Sequence, residues 1–359
     1  MLRQDARKRL GYLLGGGLLI AIVAFAAIGV FNSNRLESFS SHPLAVMGTD
    51  CTLTVAVRTG EADLAHRALE AAERALRETE ARTSWRLADS EIARFNAAPA
   101  GEFVPLSPET LALLRAARDA AGSTDGAFDV TCRPLIEMWK SAARGGQLPT
   151  PDQRTAARAA SGWDQLVLGQ AGAQKASDTA CVDLGGIAKG FAADRAAEAM
   201  MHLGAAGGLV EIGGDIRCFG RRSEGQDGWR IGIRDPFEPN TSRMLATLRV
   251  PQGGVCTSGN YLRFVEIQHR RYSHIIDPRP GANCGMTADA APSVTVVAPD
   301  ATTADIWATA LSVLGPEGIK RLPAGGGIEA MIVTGTPEDR KLHMTEGFRK
   351  LLANEGGAN

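Results

Sequence analysis

The chain has 359 residues, 44% of them hydrophobic, 22% charged and 5% aromatic, with a formal net charge of −1. That is globular composition, long enough for one large domain or two joined lobes. It carries neither the basic field that holds nucleic acid nor the aromatic supply of a base-stacking platform, which argues against a nucleic-acid partner.

Arg3, Arg7, Lys8 and Arg9 precede a charge-free stretch from Leu10 to Phe31. As a helix this stretch would span about 30 Å, the thickness of a hydrocarbon core. Basic residues before it and few after it put residues 1–9 in the cytoplasm and the rest outside. The expectation is a single-pass anchor at residues 10–31 in a bacterial inner membrane, with the folded part in the periplasm. Removal as a signal peptide at Ala24-Phe25-Ala26 is the competing reading, although the apolar run continues past that point. No cysteine follows the segment closely, so lipid attachment there is not expected. Residues 32–43 are polar and read as a linker, 44–340 as the folded domain and 341–359 as a tail.

Cys51–Val57 alternates as a strand, and Ala62–Glu80 repeats apolar residues at helical spacing. Leu111–Ala121 is a helix opened by Ser107-Pro108-Glu109, a cap followed by proline in the first turn. Gly126–Thr131 (GAFDVT) reads as a glycine turn entering a short strand, with Phe128 and Asp129 either flanking a planar ligand or packing the turn on Trp139. Ala142–Pro151 reads as a loop. Leu166–Gly169 and Ala180–Leu184 read as strands, and Ile187–Leu203 as a helix stopped by Gly204.

Where that helix begins, Asp183-Leu184-Gly185-Gly186-Ile187-Ala188-Lys189-Gly190 places an acid at a strand end, two glycines in the turn and a lysine on the first helical turn. A helix N-terminus offers free N–H groups to an anion, and glycine lets a ligand reach the backbone. This is not the GxGxxG of a dinucleotide fold. The plain alternative is a turn with a capping Asp.

Further strands are expected at Gly208–Ile212, Trp229–Arg234, Met244–Val250 and Ser293–Ala298, with a last one at Ala330–Thr334. Thr257-Ser258-Gly259 reads as a hydroxyl-rich turn. Ser273–Pro278 (SHIIDP) holds His274 three residues before Asp277, a candidate proton carrier. No GxSxG occurs, so a nucleophile elbow is not expected. Thr303–Leu314 is an apolar helix on which Asp305 and Thr309, four apart, share one face. A buried carboxylate needs a partner. Magnesium, a hard cation that keeps open positions for substrate phosphates, is one; backbone hydrogen bonds are the other. The six cysteines are widely spaced with no CxxC, so they read as small buried hydrophobes ahead of disulfides. Strands and helices interleave irregularly, which predicts an α+β (mixed α/β) fold.

The order and wording of these pieces resemble the ApbE family, the FAD:protein FMN transferases, over residues 44 to 335 or so. The pieces are Met47-Gly48-Thr49, Asp89–Asn96 (DSEIARFN), GAFDVT, DLGGIAKGFAAD from Asp183, EIGGDI from Glu211, Trp229–Pro236, CTSGNY from Cys256, SHIIDPRPG from Ser273, SVTVVAP from Ser293 and ADIWATALSVLG from Ala304. The resemblance implies an ApbE-like fold of two tightly joined lobes with FAD between them. It implies a magnesium-dependent reaction in which a Thr or Ser hydroxyl of a partner attacks the FMN phosphorus, AMP leaves and FMN stays as a phosphoester. It implies metal ligation by Asp305 and Thr309 with carbonyls of Gly186 and Ala308. FAD contacts are implied at Met47, Trp85, Ala127, Phe128, Asp129, Asp183, Lys189, Thr257, Ser258 and Asp277, and roles in catalysis for His274 and Asp183. The implied partner is a flavin-accepting subunit of a membrane redox complex. Two rival readings use the same residues: hydrolysis of FAD to FMN and AMP, and a non-catalytic FAD-binding assembly factor. Three departures stand out: Trp85 where the family often has Tyr, a longer segment at Ala282–Ala291, and Cys132 and Cys256 at small apolar positions.

Overall fold

The computed structural model describes residues 35–225, 227–238, 240–259, 264–273, 275–284 and 291–353. The expected anchor at residues 10–31 lies outside them. Among the described residues no helix is long and apolar enough to cross a membrane.

The strands in chain order are β1 (Leu36–Ser41), β2 (Cys51–Arg58), β3 (Val104–Pro105), β4 (Leu166–Leu168), β5 (Gly172–Lys175), β6 (Gly207–Ile212), β7 (Asp215–Gly220), β8 (Trp229–Arg234), β9 (Met244–Val250), β10 (Gly253–Gly259), β11 (Phe264–Ile267), β12 (Arg270–Ser273), β13 (Ile276–Asp277), β14 (Ala282–Asn283), β15 (Ser293–Ala298), β16 (Glu329–Gly335) and β17 (Arg340–Met344). The α-helices are α1 (Ala62–Thr83), α2 (Glu91–Ala97), α3 (Pro108–Ser123), α4 (Arg133–Gly145), α5 (Pro151–Ala159), α6 (Ala188–His202), α7 (Ala301–Leu314) and α8 (Glu346–Leu351).

One eight-stranded sheet, in the order β1-β2-β6-β7-β10-β15-β16-β17, organises the molecule. Each neighbouring pair in it is antiparallel. Side chains on a strand alternate between faces, and both faces are used. Cys256 of β10, Val294 and Val296 of β15, and Ala330 and Ile332 of β16 join the core shared with α1, α6 and α7. Their neighbours Val255, Val297, Met331 and Val333 join a second core on the opposite face, beneath the β8–β9 hairpin and Phe348 of α8. This two-sided burial is why SVTVVA is buried along its whole length. The hairpin itself alternates plainly: Trp229, Ile231 and Ile233 are buried, while Arg230, Gly232 and Arg234 are exposed. A smaller cluster of Leu135, Trp139, Ile267 and Ile276 holds α4, β11 and β13 together.

The expected α+β class holds. Several local expectations do not. The stretch taken for a linker contains β1, which pairs with β2 from Leu36↔Arg58 to Ser41↔Leu53. Thr257–Gly259 is not a turn but the end of β10, paired with β15. The expected loop at Ala142–Pro151 shrinks, because α4 continues to Gly145 and α5 starts at Pro151 under a capping box of Thr150 and Gln153. GAFDVT contains no strand and is a series of turns. Ala330–Thr334 is not the last strand. β17 follows it as the sheet edge, and α8 buries Phe348, so the fold runs past residue 340 into the expected tail.

Ala180–Leu184 also joins no sheet. Its apolar run looks like a strand, but its hydrogen bonds go elsewhere. The Val182 N–H donates to Asn96 Oδ1 at 2.8 Å, and Asn96 Nδ2 donates to the Val182 carbonyl at 2.9 Å. The Asp183 N–H donates to the Val130 carbonyl at 2.7 Å. A side-chain amide and a neighbouring turn thus replace the ladder that a buried extended segment requires.

Candidate functional site

The glycine turn before α6 lies against α7. A Cβ on Gly186 would sit 3.0 Å from Thr309 Oγ1 and 3.3 Å from a ring carbon of Phe128. A Cβ on Gly190 would sit 2.2 Å from the Ala301 carbonyl oxygen and 2.9 Å from Asp305 Cβ. Only glycine allows this approach of backbone to helix. The Gly190 N–H donates to Asp305 Oδ2 at 3.1 Å.

Asp305 is 3% exposed. Burial raises its carboxyl pKa above the ordinary 3.8, and the nearby Lys189 ammonium and the Gly190 N–H oppose that rise. An ionised carboxylate so deep in protein costs several kcal/mol unless it is compensated. One amide leaves much of its acceptor capacity free, and the half-buried Thr309 hydroxyl stands one helical turn along the same face. A carboxylate, a hydroxyl one turn along and the Gly186 backbone beside that hydroxyl are thus available as hard oxygen donors, the kind that suits magnesium. Among the described residues no cluster of three or more His, Cys, Asp or Glu side chains could hold a metal. A cation here would rely on a single carboxylate with neutral oxygens and the substrate. Of the four expected ligands, Ala308 stands apart: its carbonyl already accepts the Ser312 hydroxyl at 2.8 Å.

Lys189, implied as an FAD contact, here contacts the carboxylate of Asp215 at the start of β7. Asp215 is 1% exposed, and the Lys189 ammonium it holds is close enough to Asp305 to lower that carboxyl's pKa.

A cationic rim surrounds Trp85. The Arg133 guanidinium lies 3.6 Å from the indole centroid, Arg86 5.0 Å and Lys140 5.1 Å. Such contacts hold both charge and ring in place. Arg133 Nη1 also reaches Asp183 Oδ2 at 3.4 Å. Asp183 uses Oδ1 to accept the Gly185 N–H at 3.0 Å, so it shapes the glycine turn while facing the rim. Met47 has φ +50° in a loop whose Gly48 lies near Arg86.

The GAFDVT turns sit beneath this surface. Ala127 and Phe128 are 1% and 2% exposed, so their side chains are core. The reading in which Phe128 flanks a ligand gives way to one in which its ring supports Gly186. Asp129 Oδ1 accepts both the N–H and the hydroxyl of Thr131, at 2.8 and 2.7 Å, while burial pushes its carboxyl pKa upward. Thr257 Oγ1 meets Thr295 Oγ1 across β10 and β15 at 3.0 Å, and Ser258 follows it, partly exposed. Asp277 is clasped by Arg279 through Nε at 2.8 Å and Nη2 at 2.6 Å. Arg279 Cγ in turn lies 3.5 Å from where a Cβ on Gly126 would be, which carries this turn to the same side as GAFDVT. His274 lies outside the described residues.

The structure thus joins Trp85, Asp183, Gly186, Asp305 and Thr309 into one continuous site, with Met47 and Asp277 at its margins. Sequence reasoning missed Asn96, Arg133, Asp194 and Asp215. Three of these lie inside the quoted motifs, where an unexplained polar residue was the available signal. Arg133, just after GAFDVT and Cys132, had none.

The profile of the ApbE family matches residues 47–332. The FAD:protein FMN transferase of Escherichia coli (strain K12) is 32% identical over 273 residues, 74% of this chain and 76% of the relative. That of Haemophilus influenzae is 31% identical over 300 residues, 82% of this chain and 85% of the relative. Among solved structures, the apbe protein from Thermotoga maritima superposes with a TM-score of 0.75 at 29% identity, covering 89% of this chain and all of that one. Flavin transferase ApbE from Vibrio cholerae gives a TM-score of 0.72 at 29% identity, covering 88% of this chain and all of that one.

Proposed function

The chain belongs to the ApbE family, and from that membership and its site we infer that it is an FAD:protein FMN transferase. It moves FMN from FAD to a hydroxyl of a target protein and releases AMP. The observation that carries the chemistry is the buried Asp305, packed against Gly190 where a side chain would strike the Ala301 carbonyl, with the Thr309 hydroxyl one turn along beside Gly186.

Asp305 and Thr309, with the Gly186 carbonyl, would hold magnesium. When bound, it would neutralise charge on the pyrophosphate and on the leaving AMP. The protein's own residues do the positioning. Gly185 and Gly186 let the phosphates approach the backbone at the start of α6, where the helix dipole favours negative charge. Asp183 holds that turn through Gly185 and steadies Arg133 at the rim. The half-buried Trp85 offers an aromatic surface for a planar ring beside the pyrophosphate. Lys189 is tied to Asp215, so it sets the local potential rather than gripping a phosphate. We place His274 as the proton carrier for the incoming hydroxyl, as the family resemblance implies.

We propose further that residues 10–31 anchor the chain in a bacterial inner membrane with the folded part in the periplasm. The charge-free run and its basic N-terminal flank support this. The acceptor would then be an exported subunit of a membrane redox complex.

Incubation of the protein with FAD, magnesium and a purified candidate acceptor should release AMP and leave the acceptor covalently fluorescent. AMP without labelled acceptor would make the enzyme a pyrophosphatase. FAD that stays bound and unchanged would make it a carrier.

A further inference from the structure

We propose that Asp194 is a positioning residue that fixes the metal-holding helix against the glycine turn; this rests on the function proposed above. Asp194 lies on α6 and is 6% exposed. Its Oδ1 accepts the Ala301 N–H at 2.9 Å, and its Oδ2 accepts the Thr302 N–H at 2.8 Å and the Thr302 hydroxyl at 2.6 Å. Arg217 of β7 closes the group, with Nε 3.2 Å from Asp194 Oδ1 and Nη1 donating to the Pro299 carbonyl at 3.0 Å.

A helix leaves its first N–H groups without partners, and a nearby carboxylate suits both them and the helix dipole. α7 already has a cap from its own chain, because Asp300 accepts the Thr303 N–H at 2.7 Å. Asp194 adds something that cap cannot: its carboxylate comes from another element. Gly190, one turn earlier on the same face of α6, makes the second rung through its hydrogen bond to Asp305. Two rungs, one turn apart on α6, therefore join α6 to the start of α7. Gly186 precedes α6, whereas Asp305 and Thr309 stand on α7. The spacing among these oxygens is the spacing of the two helices. A sound site keeps its metal–ligand distances within about 0.2 Å of their usual values, so the helices that carry the oxygens must be held in place. The two caps of α7 thus differ in kind: Asp300 shapes the helix end, and Asp194 places the helix.

The experiment compares Asp194→Asn with Asp300→Ala in the full chain. Mn2+ alone is titrated and followed by loss of the free-ion electron paramagnetic resonance signal, alongside thermal melting and the magnesium dependence of FMN transfer. Asp194→Asn should weaken Mn2+ binding about tenfold, the size seen when residues that orient ligands are changed. It should raise the magnesium needed for half-maximal transfer in step, while the KM for FAD at saturating magnesium stays put. Asp300→Ala should lower the melting temperature at least as much yet keep the wild-type Mn2+ affinity. If Asp194→Asn fails to fold, Arg217→Gln loosens the same clamp, leaves the three amide and hydroxyl donors, and faces the same comparison. Unchanged Mn2+ affinity in the Asp194 variant, or an equal loss in the Asp300 variant, overturns the inference. A wild-type chain that takes up no Mn2+ and transfers FMN without any divalent ion overturns the metal reading itself and this inference with it.

Discussion

Asp305 shows how one residue's surroundings decide its chemistry. Its burial holds the proton on the folded chain more tightly than on the unfolded one, since the folded pKa lies above the ordinary 3.8. The sign follows from linkage: the metal-free protein loses this contribution to stability as pH rises from that ordinary value through the raised one. Magnesium competes with the same proton, so its stabilising effect should grow over the same window. Melting curves with and without magnesium, taken from acid pH to neutrality, should diverge as pH rises. Asp305→Ala should abolish both AMP release and the magnesium-dependent melting shift, and normal turnover in that variant would remove the metal assignment. Asn96 acts at the same scale with no part in the chemistry. Asn96→Ala leaves the Val182 N–H and carbonyl without their partners and should cost about 1–3 kcal/mol, read by denaturant unfolding. Asn96 stood in a quoted motif, but its partner is 86 residues away, and sequence spacing carries no sign of that pairing.

At the scale of elements, the contact of α6 with α7 matters most. Gly190 lies where any side chain would strike the Ala301 carbonyl. Gly190→Ala must push the helices apart, so it should lower the melting temperature and lose most magnesium-dependent turnover, whereas Gly204→Ala, with open space at its Cβ but φ +91°, should cost local stability without touching the metal. The helical period and the Asp305–Thr309 spacing were readable in the sequence because they are local. The partner of that face was not, because DLGG and ADIW are separated by more than a hundred residues. Mistakes clustered where side chains or turns took over the hydrogen bonds of an extended segment, as at Ala180–Leu184, and where a polar strand lay at an edge. β1 and β17 are poor in apolar residues because an edge strand needs to bury little, and a period-based reading passes over them.

For the whole molecule, the two-faced sheet explains why the fold extends to its last described residues. α8, with the β8–β9 hairpin, covers the face opposite the site, where Phe348 is fully buried, and β17 forms the sheet edge beside it. Removing everything after residue 340 should expose the second core and yield an unstable or aggregated chain; Phe348→Ala alone should cost about 3–5 kcal/mol in denaturant unfolding. The active site on the other face should keep its affinity for FAD in whatever fraction of Phe348→Ala stays folded. The amino-acid sequence by itself determined the class of fold, the order of its main elements, the family and the residue types able to hold a hard cation, since all of these reside in local periodicity and contiguous motifs. Only the tertiary structure decided that Gly186 lies by Thr309 and Gly190 by Asp305, that Lys189 is tied to Asp215, that Arg133 lies on Trp85, and that Phe128 is core rather than wall. Those outcomes depend on packing between distant segments, where burial sets the cost of every unpaired charge and the missing side chain of a glycine sets how closely two helices can lie.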